Sequence, residues 1–300
     1  TTLTIHLIMM LRLITVGSTL AAAINGALVS VSNFGANPSG LKMSVYVPSK
    51  LSSSPAVILA LHGCGGTGEQ YYQQTKYPAL ADTNGFIVIY PSAPHDSNCW
   101  DVASTKTLSR DGGGDSNGLA NMLKYAISTY KADPSKIFVT GTSSGGMMTN
   151  VMCAVYPDMI AAGSVYSGVP AGCLAGSPGS SPTSANQDCA NGKIIKTSAQ
   201  WVAQVKAMYP SYSGTYPKMQ IWHGTADSFV NYYQNFAEQI KEWTGLLGVS
   251  FVKNNTNIPQ SGYTQLTFGD GAKLVAYSAA GVGHTVPVHE TVDLKWFGIS

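Results

Sequence analysis

Three residues of this chain have the types and spacing needed for acyl transfer: Ser143, Asp227 and His284. A serine hydroxyl is a weak nucleophile at neutral pH. It needs a base within hydrogen-bond reach, and imidazole titrates in the right range. A carboxylate behind the imidazole fixes its tautomer and stabilises the imidazolium. Ser143 lies in Gly141-Thr142-Ser143-Ser144-Gly145, which fits G-x-S-x-G. The β-branched and aromatic run Ile137 to Thr140 precedes it and reads as a buried strand; a Met-rich stretch that reads as a helix follows. Strand, turn, helix is the context in which that motif makes a strained turn and lifts the serine clear of a sheet, and only residues without Cβ let the two elements close around it. Gly114-Asp115-Ser116-Asn117-Gly118 also fits the motif. No strand precedes it, so Asp115 or Ser116 is read there as a helix cap.

The partners of Ser143 have rivals. Asp227 could cap the helix that starts near Asn231, in which case Asp270 is the substitute acid. His289 is the alternative base, but it lies beyond Pro287 at the expected start of the last helix. His223 directly follows a strand and reads as a structural, hydrogen-bonding histidine. A developing oxyanion needs preorganised N–H donors. Ser144, next to the nucleophile, supplies one; Leu61-His62-Gly63-Cys64-Gly65-Gly66 supplies the other, from Cys64 or alternatively Gly65. The same stretch, Gly63 to Gly68, satisfies G-x-G-x-x-G. The following Glu69 to Gln74 is a poor amphipathic helix, which argues against a dinucleotide site, and no Lys-Ser/Thr follows to make a P-loop. Asp111 to Asp115 lacks the ligand spacing of an EF-hand, and no C-x-x-C pair exists for zinc. No cofactor and no metal are expected.

These residues need a scaffold. Strands are read at Leu41 to Val47, Val57 to Leu61, Phe86 to Tyr90 (ended by Pro91), Ile137 to Thr140, Ala161 to Tyr166, Met219 to Trp222 and Lys273 to Tyr277. Helical spacing marks Asn117 to Tyr130 and Tyr232 to Leu247. Strands alternating with helices predict an α/β fold with a mostly parallel central sheet flanked by helices. In such sheets the chemistry sits past the C-terminal strand ends. His62, Ser143, His223, Asp227 and His284 all satisfy that placement. The chain order Ser…Asp…His is the order of the α/β-hydrolase fold.

The 44% apolar and 11% charged composition describes a globular protein with a large core, and the small share of charges suits secretion. A net charge of +2 offers no case for nucleic acid or an anionic surface. Met9 or Met10 as a start, Arg12, and the short apolar run Leu13 to Ala23 read as a signal peptide cleaved between Ala23 and Ser32, with residues 1–8 upstream. That run is short for a membrane span, so no membrane association is expected. The division drawn is 1–30 for leader and upstream residues and 31–300 for a single catalytic domain. Five cysteines in an oxidising compartment leave at least one unpaired. Cys173 and Cys189 bracket a Gly/Ser/Pro loop, and Cys64 and Cys99 each follow a strand at one sheet edge. Cys153, on the helix after the serine, reads as a buried free thiol, and the pairing is left open. Asn254-Asn255-Thr256 is a sequon on a stretch read as polar loop, a glycosylation site at Asn254.

Eight stretches carry a wider resemblance. They are Asn-Phe-Gly-Ala-Asn-Pro (33–38), Met-Ser-Val-Tyr-Val-Pro (43–48), Leu-His-Gly-Cys-Gly-Gly (61–66), Asn-Cys-Trp-Asp (98–101), Gly-Gly-Gly-Asp-Ser (112–116), Gly-Thr-Ser-Ser-Gly-Gly-Met (141–147), Tyr-Ser-Gly-Val-Pro-Ala-Gly-Cys (166–173) and Trp-His-Gly-Thr-Ala-Asp (222–227). Over roughly residues 30–299 the chain resembles the fungal acetylxylan esterases of carbohydrate esterase family 1, related to type B feruloyl esterases and polyhydroxybutyrate depolymerases. The resemblance implies an α/β-hydrolase fold, secretion, and deacetylation of xylan, with nucleophile, acid and base at Ser143, Asp227 and His284. Unlike some members, no cellulose-binding module is expected here, and the protein is expected to be a monomer. A xylan cleft should offer aromatic faces; of Tyr71, Tyr72, Trp100, Tyr166 and Trp201, Trp100 is chosen because it follows a strand-end loop. The loop 173–191 should border the site. A feruloyl or polyester substrate keeps the same triad, and a non-catalytic binding protein on the same fold would need a broken one.

Overall fold

The computed structural model describes residues 26–300. Most of the stretch read as a leader therefore lies outside the described residues. The strands are β1 (Leu28–Val31), β2 (Lys42–Tyr46), β3 (Val57–Leu61), β4 (Ile87–Ser92), β5 (Ile137–Thr142), β6 (Ala162–Tyr166), β7 (Lys218–Gly224), β8 (Phe251–Thr256), β9 (Tyr263–Phe268) and β10 (Leu274–Ala279). The helices are α1 (Gly68–Gln74), α2 (Tyr77–Asn84), α3 (Asp115–Tyr130), α4 (Ser144–Val155), α5 (Ser198–Met208), α6 (Tyr232–Leu247) and α7 (Glu290–Phe297). One sheet runs in the order β1-β2-β4-β3-β5-β6-β7-β10-β9-β8. The run β4-β3-β5-β6-β7-β10 is parallel throughout, and antiparallel strands close both edges.

The central strands are apolar on both faces because both faces are covered. Val57, Leu59 and Leu61 of β3 join the core packed by α3, α4, α5 and α6. Ile58 and Ala60, pointing the other way, join a second layer with Tyr71 of α1, Tyr77 and Ala81 of α2, and Leu294 and Phe297 of α7. The period-2 alternation of a strand thus splits one run into two cores. No helix among the described residues is long and apolar enough to cross a membrane.

Several local expectations need correction. β1 starts at Leu28, inside the stretch drawn as leader, and pairs with β2 along its length. β4 continues through Pro91 to Ser92. Its parallel pairing with β3 ends at Ile89, so the missing Pro91 N–H costs no bond on that side. β8 and β9 form an antiparallel pair that the polar composition of Lys253-Asn254-Asn255 concealed. Asn254 is exposed on that edge strand rather than on a loop. At α3 neither Asp115 nor Ser116 is the cap: Gly114 holds that position without a side-chain bond. Both side chains turn inward. The Asp115 carboxylate accepts the Asp101 N–H at 2.9 Å, and Ser116 Oγ donates to Thr107 O at 2.6 Å. The Cys153 thiol is buried and unpaired, and burial pushes its pKa far up, which makes it inert.

Candidate active site

β5 turns into α4 at Ser143, whose backbone has φ 57° and ψ −119°. A non-glycine residue there is strained by about 1–3 kcal/mol. The surroundings hold it: the Ser143 N–H donates to Tyr166 O at 2.9 Å, and Ser143 O accepts the Met147 N–H at 2.9 Å. The flanking glycines are a steric requirement. A Cβ on Gly141 would lie 2.4 Å from Gly145 O, and one on Gly145 would lie 2.1 Å from Leu61 O. The turn presents Ser143 Oγ past the C-terminal end of β5, at the N-terminus of α4.

His284 and Asp227 come to it from the loops after β10 and β7. His284 Nε2 lies 2.8 Å from Ser143 Oγ, and His284 Nδ1 lies 2.8 Å from Asp227 Oδ2. A carboxylate accepts only, so Nδ1 carries the proton and Nε2 is free to accept from the serine. Asp227 Oδ1 accepts the backbone N–H groups of Phe229 at 3.1 Å and Val230 at 2.9 Å. His223 Nε2 sits 3.2 Å from Asp227 Oδ2 and 3.0 Å from Val230 O, so that proton is shared between two acceptors. Burial alone would raise the Asp227 pKa; the hydrogen bonds from His223, His284 and Val230 outweigh it and hold the carboxyl well below its ordinary value. Asp270 sits on an exposed turn, accepting the Ala272 N–H. His289 stacks on Trp222 in the core at 4.7 Å and precedes α7. Neither lines the cleft that holds Ser143.

The loop 62–66 packs against the serine: a Cβ on Gly63 would lie 3.4 Å from Ser143 Cβ. The Gly65 N–H is taken by Ser97 O at 3.0 Å and the Gly66 N–H by Gly63 O at 3.1 Å. Cys64 N–H has no acceptor among the described residues. The 96–101 segment clamps this loop three ways: the Cys64–Cys99 disulfide, the Gly65–Ser97 bond, and Trp100, whose indole N–H donates to His62 O at 2.8 Å. Trp100 is therefore no sugar platform. It is 0% exposed, packs tilted 39° against His62, and its backbone N–H donates to Ser144 Oγ at 2.9 Å. A buried indole goes where its N–H finds a carbonyl, and here that is under the loop. Burial lowers the His62 pKa. The neutral ring donates from Nδ1 to Gly63 O at 2.8 Å and accepts the Ala93 N–H at Nε2.

Above Ser143 lies a cleft of about 540 Å³. Its far wall is Leu174, Ser180 to Pro182, Ala185 to Gln187 and Ala190, from the loop stapled by Cys173–Cys189, as its position after β6 predicts. Of the other aromatic candidates, Tyr71 is buried but reaches the wall, its hydroxyl bound to Thr142 Oγ1 at 2.9 Å, whereas Tyr166 and Trp201 are buried away from the cleft. The residue that sequence reasoning missed is Phe229. It lines the cleft, is 73% exposed, and its ring centroid is 5.8 Å from that of His284. Its only signal was an aromatic two positions after the acid.

A family profile described as "Esterase PHB depolymerase" matches residues 41–256. Feruloyl esterase B of Talaromyces funiculosus is 50% identical over 281 residues, 94% of this chain and 79% of the relative. Acetylxylan esterase A of Aspergillus oryzae is 48% identical over 278 residues, 92% of this chain and 89% of the relative. The solved acetyl xylan esterase from Aspergillus awamori superposes with a TM-score of 0.86 at 46% identity, covering 91% of this chain and all of that one. A profile spanning most of the chain, and relatives near half identity along nearly all of it, make the chain a carboxylic ester hydrolase of the esterase PHB depolymerase family.

Proposed function

We propose that the protein is a secreted serine esterase that removes acetyl groups from acetylated xylan and works as a monomer. The observation that carries the reading is the unbroken line Ser143 Oγ, His284, Asp227, at 2.8 Å for each contact, beneath an open cleft. The acetylxylan esterases among its relatives, and the match to the solved one, support the acetyl ester. Two disulfides support an oxidising compartment.

In the reaction, His284 Nε2 takes the Ser143 proton as Oγ attacks the acetyl carbonyl carbon. The resulting oxyanion is held by the N–H groups of Cys64 and Ser144. His284 then protonates the sugar oxygen, the C–O bond breaks, and an acetyl-serine remains. Water, deprotonated by His284, attacks that ester; acetate leaves and Ser143 recovers its proton. Asp227 stays ionised throughout and stabilises the imidazolium. A buried, neutral His62 keeps the Cys64 peptide aimed without adding a second base.

A second reading keeps the mechanism and changes the ester to feruloyl. It is favoured by the feruloyl esterases B among the relatives, one of them 50% identical to this chain. Purified enzyme is assayed on acetylated xylan, methyl ferulate and polyhydroxybutyrate, with Ser143→Ala alongside. We expect acetate release to dominate, and the alanine variant to lose on the order of 10⁵-fold or more in kcat. Equal hydrolysis by wild type and variant would sink the triad, and faster ferulate release would move the substrate to the second reading.

A further inference from the structure

Among the described residues Phe229, Tyr233 and Phe251 are well-exposed aromatics, and of these Phe229 alone lines the cleft. Covering such a ring is favourable, and here 73% of it is left open. Its backbone is nevertheless anchored beside the imidazole. One oxygen of Asp227 accepts the Phe229 backbone N–H, and the other accepts the His284 ring N–H. A single carboxylate thus sets the phenyl ring against the imidazole, tilted 36° to it. Chemistry then gives the ring a side. The imidazole must hand its proton to the leaving oxygen, so the alcohol half of the ester lies on the imidazole side of the tetrahedral carbon. Whatever carries that oxygen passes beside Phe229. A pyranose has a face of axial C–H groups, and the negative face of an aromatic ring attracts such polarised hydrogens.

We propose that Phe229 is the platform for the sugar ring bearing the scissile ester, selecting the alcohol rather than the acyl group. This rests on the acetylated-xylan reading above. The ring takes the part that sequence analysis gave to Trp100. It does so from the acid loop after β7, and the Asp227 geometry survives its truncation because only the backbone N–H is engaged.

The test compares kcat/KM for a monoacetylated xylooligosaccharide with that for ethyl acetate, whose alcohol has no ring. Both are measured on one preparation of wild type, Phe229→Ala and Phe229→Tyr. Phe229→Ala should lower the oligosaccharide-to-ethyl-acetate ratio about tenfold, and Phe229→Tyr, which keeps the face, should restore it. An unmoved ratio in Phe229→Ala, or an equal loss in Phe229→Tyr, overturns the proposal. If wild type cleaves ethyl acetate but no acetylated oligosaccharide, the xylan reading itself fails and the platform falls with it. If it cleaves both and the ratio stays put, only the platform fails.

Discussion

At the scale of single residues, Asp227 holds more of the site than its place in the triad implies. Its two oxygens serve four donors: His284, His223, and the N–H groups of Phe229 and Val230. Asp227→Asn keeps the size but puts an amide donor against two ring N–H groups, so the imidazole must flip its tautomer or lose a partner. We expect kcat to fall on the order of 10³–10⁴-fold, measured on acetylated xylan at neutral pH. The acid also has a stability signature. Its folded pKa lies below the ordinary 3.8, so its contribution is present above that value and is lost as pH falls through the folded pKa. Wild type should therefore lose urea midpoint below about pH 4, and Asp227→Asn should lose less over the same interval. A parallel decline in both proteins would assign the acid transition to other carboxylates.

At the scale of elements, the elbow and its supporting loop should respond to substitution differently. Gly145→Ala drives a methyl into Leu61 O, and backbone cannot step aside, so we expect a loss of about 3 kcal/mol or more, or no folded protein. Trp100→Phe is milder. It keeps an aromatic ring but removes the five-membered part of the indole with its donor, leaving a small cavity and His62 O short of a partner in the core, for about 1–3 kcal/mol from the lost bond. Because that carbonyl belongs to the loop carrying Cys64, kcat on any ester should drop with KM little changed; an altered KM with intact kcat would return Trp100 to substrate contact. The same elements show what was legible in the sequence. Ile137 to Thr140, Val57 to Leu61 and α6 could be read directly, because burial on both faces, or on one helical stripe, writes itself into apolar spacing. The juxtaposition of Ser143, His284 and Asp227 was legible because strand ends in a parallel sheet converge. β8 left no mark, since an edge strand exposed along its length has nothing to bury. Trp100 was misread and Phe229 missed for one reason: whether an aromatic faces a core or a cleft is decided by loop paths, which local spacing does not encode.

At the scale of the whole molecule, the helical layer of α2 and α7 is tied to the sheet by a buried acid on the face away from α4. Asp293 of α7 is fully buried and accepts from Tyr77 OH at 2.5 Å, Ser164 Oγ at 2.7 Å, Tyr166 OH at 2.9 Å and Gln220 Nε2 at 2.8 Å. It joins α7 to α2, β6 and β7 at once. Burial raises its pKa, the three hydroxyl donors pull it back, Glu290 adds a small push upward, and the carboxyl ends pushed up to about 7. A folded pKa above the unfolded 3.8 means the acid's stabilisation is complete below that value and is lost as pH rises through about 7. A gap of about three units amounts to about 4 kcal/mol between those limits. Tm should therefore fall as pH rises from about 5 to about 8. Asp293→Asn cannot titrate and can still accept from Ser164, Tyr166 and Gln220 while donating to Tyr77, so its profile should be flat over that range. A wild-type Tm that rises across the interval would mean the four donors hold the carboxylate charged. The consequence reaches the active site, because the segment between His284 and α7 is pinned from the same place: Val286 N–H donates to Ser167 Oγ at 3.1 Å and His289 N–H to Tyr166 OH at 3.0 Å. Tyr166 is the shared partner, so the segment that carries His284 hangs from the same hydroxyl that donates to Asp293, and the support of the site and the buried acid are one network.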